Sequence, residues 1–235
     1  MTTEEKALKY LEGDILLHMS MIEPIRRKHA GIIYADVDGV LIQDLRSGAY
    51  MLSTVDESVG RRLVSLVKDA DLFTVHQEFL VPIVQSKFDL NIVKDCVQAV
   101  YLDDKPLPVD EKIQICMLGS EWVGIVAENY HCVDDVGYIR ELIDNKEIYG
   151  AFIDGSLAGF IGTHKEGTMG LLVVLPKYRL MGVGTALESH MVNLFLSRKQ
   201  VPFGQVLEGN TKSLGLQKKL GFRISKKHLF WMDRD

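Results

Sequence analysis

The stretch of this chain best suited to hold an anion is Arg179-Leu180-Met181-Gly182-Val183-Gly184-Thr185. It follows an apolar run, Leu171-Leu172-Val173-Val174-Leu175, closed by Pro176. It opens a segment in which Val183, Leu187, Met191, Leu194 and Phe195 recur at helical spacing. A strand, a glycine-bearing turn and a helix in that order aim unpaired backbone N–H groups and a positive dipole end at whatever sits before the helix. Two glycines let the backbone approach a pyrophosphate with no side chain in the way. A second chemical candidate is Asp36-Val37-Asp38-Gly39 after the apolar Ile32-Ile33-Tyr34-Ala35, two carboxylates that could serve phosphoryl transfer as nucleophile and acid.

Several phosphate loops compete for the first stretch. A Walker loop ends in Gly-Lys-Ser/Thr, and Gly184-Thr185 has no lysine between its members. A Rossmann fingerprint needs a third glycine and an acidic residue about 20 positions on, at the end of a second strand; neither is present. The pattern Arg-x-x-Gly-x-Gly, entered from a strand ending in Leu-Pro, resembles the pyrophosphate loop of the GNAT superfamily of acyl-CoA-dependent N-acyltransferases. Downstream, Asn210-Thr211-Lys212-Ser213-Leu214-Gly215-Leu216-Gln217-Lys218-Lys219-Leu220-Gly221-Phe222 resembles that superfamily's last helix, Asn-x-x-Ala/Ser-x-x-Leu-Tyr-x-Lys-x-Gly-Phe. The segment also reads as a helix on physical grounds, with Asn210 as N-cap, Lys218 and Lys219 in the last turn and Gly221 at C′. Its spacing puts Asn210, Ser213 and Gln217 on one face and Leu216 and Leu220 on another. An ordinary capped surface helix would carry the same signals; two motifs in the superfamily's order are what favour the resemblance.

The elements around these motifs agree. A strand is expected at Lys112 to Gly119, with Ile113, Ile115 and Met117 on one side. Helices are expected from Ser120-Glu121 to about Tyr130 and from Asp134-Asp135 to about Asn145. A hairpin, Ile148 to Ile153 and Leu157 to Thr163, turns at Asp154-Gly155-Ser156. Thr168 to Leu175 is the next strand and Gln205 to Glu208 a short one, while Phe222-Arg223-Ile224 and His228 to Met232 read as a closing pair. The order βααβββαβαββ is that of the GNAT fold, so the resemblance covers residues 111–235.

Residues 1–108 carry both the carboxylate pair and an echo of the same order. Asp-x-Asp-Gly after an apolar strand resembles the nucleophile motif of the HAD phosphatases, and Leu52-Ser53-Thr54 and Tyr101-Leu102-Asp103-Asp104 mimic later HAD elements. In that reading Asp36 attacks phosphate and Asp38 is the general acid. It requires the strand reaching Ser53 to run parallel beside the one reaching Asp36, and such a crossover takes about a dozen or more residues, usually helical. Positions 37–52 must also contain the strand itself and show no helical period. Asp38-Gly39 between Val37 and Val40 instead predicts a two-residue hairpin turn. Helices at Glu4 to Leu11 and Asp14 to about Met21 are expected, with Pro24 breaking or kinking the tail. Strands follow at Gly31 to Asp36, Gly39 to Asp44 and Ala49 to Ser53. A helix carrying Val59, Leu63, Leu66 and Val67 comes next, then strand Leu72 to Val75, helix Glu78 to Lys87 and strand Cys96 to Leu102. This ααβββαβαβ order is a GNAT order missing its ends. Its strand-to-helix junction, Ser53 to Gly60, has no glycine pair and places Asp56 and Glu57 where an anion would sit. The expectation is an α/β chain of α+β type, with a mixed, mostly antiparallel sheet flanked by helices in a C-terminal GNAT fold. The N-terminal α/β domain is expected to be a degenerate GNAT-like copy without a coenzyme site, or an unrelated α/β domain.

Bulk properties narrow the rest. The 235 residues are 47% hydrophobic, enough for one large domain or two small ones. Net charge is −5 and the longest basic run is Arg26-Arg27-Lys28, which disfavours nucleic-acid and anionic-membrane binding. No apolar run reaches spanning length. Met1 to Lys6 is not a basic signal region, and the expected compartment is the cytoplasm. Cys96, Cys116 and Cys132 lack metal-ligand spacing and are expected to be buried free thiols; no metal is implied.

The resemblance implies acetyl-CoA or another acyl-CoA as co-substrate and a primary amine of a small molecule or peptide as acceptor. It implies that the backbone of Val173-Val174-Leu175 meets the thioester and pantetheine, and that Leu180 to Thr185 hold the pyrophosphate with Arg179 supplying charge. Asn210, Ser213 and Gln217 would border the thioester. The superfamily often has tyrosine as thiolate acid where Gln217 stands, and Gln217 cannot give up a proton in that sense. No glutamate lies on Thr168 to Leu175, so Glu208 and His164 are the candidate bases and Ser213 and Gln217 the neighbouring polar groups. An N-acyltransferase is the leading reading, a non-catalytic acyl-CoA sensor the second and the HAD phosphatase a remote third. Trp122, Tyr130 and Tyr138 are candidates to line the acceptor side.

Overall fold

A computed structural model of the chain describes residues 1–131 and 135–234. The expected free thiol Cys132 and helix-opening Asp134 lie outside the described residues. Contacts divide the chain into two compact units. The first is Met1–Val100 with Gln205–Ser213 and Arg223–Asp235, and the second is Tyr101–Gly204 with Leu214–Phe222.

The first unit opens with α1 (Thr3–Leu11), started by a reciprocal capping box between Thr2 and Glu5. Next, α2 (Ile15–Arg26) is capped by Asp14 and runs past Pro24 to Arg26 without the expected break. Pro24 sits in the last turn, where the lost N–H bond has little helix left to disrupt. β1 (Ala30–Asp36), β2 (Gly39–Asp44) and β3 (Tyr50–Thr54) form an antiparallel meander. Asp36 pairs with Gly39, so the turn residues are Val37 and Asp38, one position earlier than the sequence suggests. Gly39 is needed for contact rather than for the turn, since a β-carbon there would meet the Ser53 carbonyl oxygen at 2.8 Å. The unit continues with α3 (Glu57–Ser65), β4 (Leu72–Val75), a 3₁₀ turn at Glu78–Leu80, α4 (Val81–Phe88) and β5 (Ile92–Val100). β5 begins before the expected Cys96.

In the second unit, β6 (Gln114–Met117) is followed by a 3₁₀ turn, Ser120–Trp122, and by α5 (Val123–Asn129) and α6 (Val136–Asp144). β7 (Ile148–Ile153), β8 (Ser156–Thr163) and β9 (Met169–Val174) extend β6 into an antiparallel meander. α7 (Val183–Ser197) leads to β10 (Phe203–Leu207), whose ladder with β9 is the single parallel pair Gly204↔Met169. α8 (Thr211–Lys219) ends at Gly221, φ +90°, where Phe222 N–H closes on the Gln217 carbonyl at 3.0 Å. Phe160, Leu171, Ile148 and Leu142 anchor the core. Leu107 is pinned to α7 by reciprocal bonds with the Asn193 amide, 2.7 and 2.8 Å. Cys116 is exposed, not buried as expected, and so is Met117, because β6 is an edge strand paired with β7.

The chain ends in the first unit with β11 (Arg223–Asp233), one strand where the sequence suggests a closing pair. It lies between β4 and β5, antiparallel to both, and its register jumps between Ile224 and His228. The polar interruption Ser225-Lys226-Lys227, which reads as a turn, is accommodated as a bulge in which Ser225 Oγ accepts the Gln98 N–H at 3.0 Å.

Candidate functional site

The glycine-bearing loop has the geometry an anion site needs. Leu180 and Gly182 take left-handed φ values of +64° and +82°, and α7 begins at Val183 with no side chain capping it. The first N–H groups of an uncapped helix have no intrahelical acceptor, so those of Val183, Gly184 and Thr185 remain available. Arg179, Leu180 and Met181 are exposed around them. The corresponding junction of the first unit is closed. There Asp56 caps α3, accepting from Val59 N–H at 2.9 Å and Ser58 Oγ at 2.8 Å, and the Val59 bond holds its carboxyl below the usual range.

β9 is not a regular strand. Phe160 pairs with Val173 and Gly162 with Gly170, so Leu171 and Leu172 oppose Ile161 alone. This bulge is made by Leu171 at φ +53°, a conformation L-residues adopt only when their surroundings impose it. Leu175 N–H bonds the Ala158 carbonyl at 2.9 Å; by ladder alternation the Val174 N–H points away from β8. Sequence reasoning finds the right strand end but misses the bulge, because an unbroken apolar run carries no alternation from which a register shift can be read.

His164, a candidate base, is held beside this bulge. Its ring stands over Gly170, where a β-carbon would lie 2.5 Å from Nε2. Nδ1 is 2.7 Å from the Tyr138 hydroxyl and Nε2 is 3.5 Å from that of Tyr130. Burial pushes the Tyr138 phenol up, helped by the charge of Glu166, so it stays protonated. Tyr130 and Tyr138, named from sequence as acceptor-side candidates, thus meet His164 in one cluster, while Trp122 packs edge-on against Phe152.

Gln217 is elsewhere than expected. It is buried rather than open to a cleft, and its Nε2 donates to Glu188 Oε1 at 2.7 Å. Burial pushes the Glu188 carboxyl up to about 7, against a smaller lowering by that bond. Sequence reasoning missed Glu188; a lone acid at a buried position of α7's apolar periodicity was the available signal. Asn210 and Ser213 fall in the first unit, where Asn210 Oδ1 accepts the Ser213 N–H at 3.2 Å as the α8 cap. Glu208 is also in the first unit, exposed, with its carboxylate 3.9 Å from His228 Nε2, whose Nδ1 binds Asp95 at 2.6 Å. Among the described residues no cluster could hold a metal ion.

The phosphatase reading fails on topology. β2 lies between β1 and β3, so the strands ending at Asp36 and Ser53 are not neighbours. Asp36 pairs with Lys6 at 3.4 Å, and Asp38 accepts from Tyr34 and Arg62 at 2.7 and 2.6 Å. Ser53 is buried, bound to His18 Nε2 and Gln77 Nε2, each at 2.9 Å. In this unit β3 and β4 pair in parallel from Tyr50↔Phe73 to Leu52↔Val75. The zipper continues through His76 N–H to the Leu52 carbonyl and Thr54 N–H to Gln77 Oε1, both 3.0 Å. The equivalent ladder between β9 and β10 has one pair.

Comparison with known proteins gives the same picture. Residues 148–232 match the family model of the FR47-like protein. Among solved structures, a Drosophila protein shares 15% identity over 83% of this chain and 73% of its own, with a TM-score of 0.63. A GCN5-related N-acetyltransferase-like protein from Streptococcus suis shares 12% over 99% and 100%, at 0.58. An acetyltransferase of the GNAT family from Colwellia psychrerythraea shares 13% over 97% and 94%, at 0.54. At these identities the likeness is one of fold. No curated protein matches the sequence.

Proposed function

We propose that the chain is a member of the GNAT superfamily, a reading supported by its FR47-like match over residues 148–232 and by its fold, and that it moves an acetyl or other short acyl group from acyl-coenzyme A to a primary amine of a small molecule or peptide in the cytoplasm. The observation that carries this reading is the uncapped start of α7 at Gly182, set one short loop after a bulged strand. The backbone of Met181 to Thr185 would hold the diphosphate, with Arg179 adding charge. The pantetheine arm would lie along Val173 to Leu175 as an added strand, and the outward Val174 N–H would stabilise the thioester oxygen as it gains charge.

In the transfer a neutral amine attacks the thioester carbon, the carbon–sulfur bond breaks and the amine nitrogen loses a proton. His164 accepts that proton at Nε2, which requires Nδ1–H to donate to the Tyr138 oxygen. Tyr138, which burial keeps protonated, orients the ring without competing as an acid. Gln217 has no acidic proton and is committed to Glu188, so the leaving thiolate takes its proton from water. Residues 1–108 act in this reading as a degenerate GNAT-like copy that does not bind coenzyme A, supported by the Asp56 cap and the zipped β3–β4 ladder.

The test is release of free coenzyme A thiol from acetyl-CoA with a panel of primary amines, alongside calorimetry. Turnover that disappears in His164→Ala with coenzyme heat retained supports the proposal; no heat with acetyl-CoA sinks it. The burial of Gln217, where relatives often carry an acid, favours one second reading, a non-catalytic acyl-CoA sensor. That reading predicts coenzyme heat without thiol release for every amine.

A further inference from the structure

We propose that Glu188 is a positioning residue for the coenzyme site: through its hydrogen bond to Gln217 it fixes how the C-terminal part of α8 rests on α7. The proposal depends on reading Gly182 to Thr185 as the coenzyme's anion site. These helices come close at two places near that site. A β-carbon at Gly184 would lie 3.6 Å from Leu216, and one turn further along α7 Glu188 accepts the Gln217 amide at 2.7 Å. Both side chains of the second contact are buried, and Gln217 Oε1 has no hydrogen-bond partner. A buried carboxyl and a half-satisfied amide cost stability where two leucines would pack without penalty. Their presence is therefore better explained by geometry they impose than by stability they add.

The electrostatic setting gives the pair a proton dependence. Glu188 lies five residues into α7, about 8 Å of helix rise from Val183. Ionised, it places a negative charge behind the N–H groups offered to a diphosphate and opposes the helix dipole; neutral, it does neither. Few other charges intervene. On the elements packed against α7, β8 and β9 carry no titratable side chain, β7 carries Tyr149 tilted against His190, and Lys212, Lys218 and Lys219 of α8 are exposed.

The test compares the wild type with Glu188→Gln and Glu188→Leu in acetyl-CoA calorimetry from pH 5.5 to 8.5, with melts of each form as a folding check. Glu188→Gln keeps the shape and a bond to Gln217 but cannot ionise, so it also gives the baseline for the coenzyme's own phosphate titration. Wild-type affinity should fall about fivefold more than that baseline as pH rises through 7, the size of one screened like-charge interaction at this range. Glu188→Leu should raise KM for acetyl-CoA at pH 6 while kcat at saturation stays within about twofold. Heat with the wild type but superimposable wild-type and Glu188→Gln profiles overturns this proposal alone. No heat with the wild type overturns the anion-site reading and this proposal with it.

Discussion

The ring of His164 stands over Gly170, with Nε2 2.5 Å from where a β-carbon would be and Nδ1 2.7 Å from the Tyr138 hydroxyl. Glycine at 170 is thus what lets β9 carry an imidazole beside its own bulge. Gly170→Ala should push the ring off Tyr138 and lower kcat by about tenfold or more, toward the 10²–10⁴ range of a lost general base. Acetyl-CoA heat should be unchanged, because the loop at Gly182 is untouched. An alanine variant with wild-type kcat would remove His164 from the role of base.

The two glycines of the loop serve different ends, and substitution separates them. Gly182 holds φ +82°, so Gly182→Ala should cost about 1 kcal/mol in urea denaturation as well as coenzyme affinity. Gly184 is helical, and a β-carbon there meets only Val174 and Leu216 at 3.4 and 3.6 Å. Gly184→Ala should leave stability equal or higher, yet weaken acetyl-CoA binding about tenfold or more if the diphosphate lies against that backbone. A Gly184→Ala protein that binds as tightly as the wild type would place the ligand elsewhere.

The sequence disclosed the parts of the fold whose signals are local. Glycine and proline punctuation, helical periods and the helix starts at Asp14 and Asn210 are each written within a few residues. What it concealed depends on partners far along the chain. Residues 223–233 read as a pair because Ser225-Lys226-Lys227 has the composition of a turn, and only the ladder with β5 makes them one strand. The Leu171 bulge is imposed by β8. Gln217 faces inward because Glu188, far upstream, is buried opposite it, a pairing no single-helix pattern can announce. The shape of the loop at Gly182 was legible for the same reason as those helix starts: it is backbone geometry, fixed by glycine.

The first unit's closed junction can be tested directly. Asp56 caps α3 through Val59 N–H, so Asp56→Ala should lose about 1 kcal/mol of stability. It should not create a second coenzyme site, since β3 and β4 stay zipped to their ends by Gln77. Calorimetric stoichiometry should remain one acetyl-CoA per chain in the wild type and in this variant. Two sites in either would show that the N-terminal copy retains coenzyme binding.

Buried ionisable groups make the two units respond oppositely to pH. In the first unit burial lowers His76 to about 3, with the neighbouring His18 ring 5.5 Å away adding to the effect. The folded protein refuses a proton that the unfolded chain accepts below 6.5, so stability is complete above that pH. It falls by about 1.4 kcal/mol per unit as pH drops toward 3. In the second unit Glu188 is raised from 4.5 to about 7, so its contribution is complete below 4.5 and is lost as pH rises through 7. The linkage there is worth about 3 kcal/mol at most. Urea denaturation of the wild type and Glu188→Gln at pH 5 and pH 8 isolates the second effect. The variant should gain stability relative to the wild type at pH 8 and show little advantage at pH 5. An equal difference at both pH values would mean that Glu188 is not titrating across this interval.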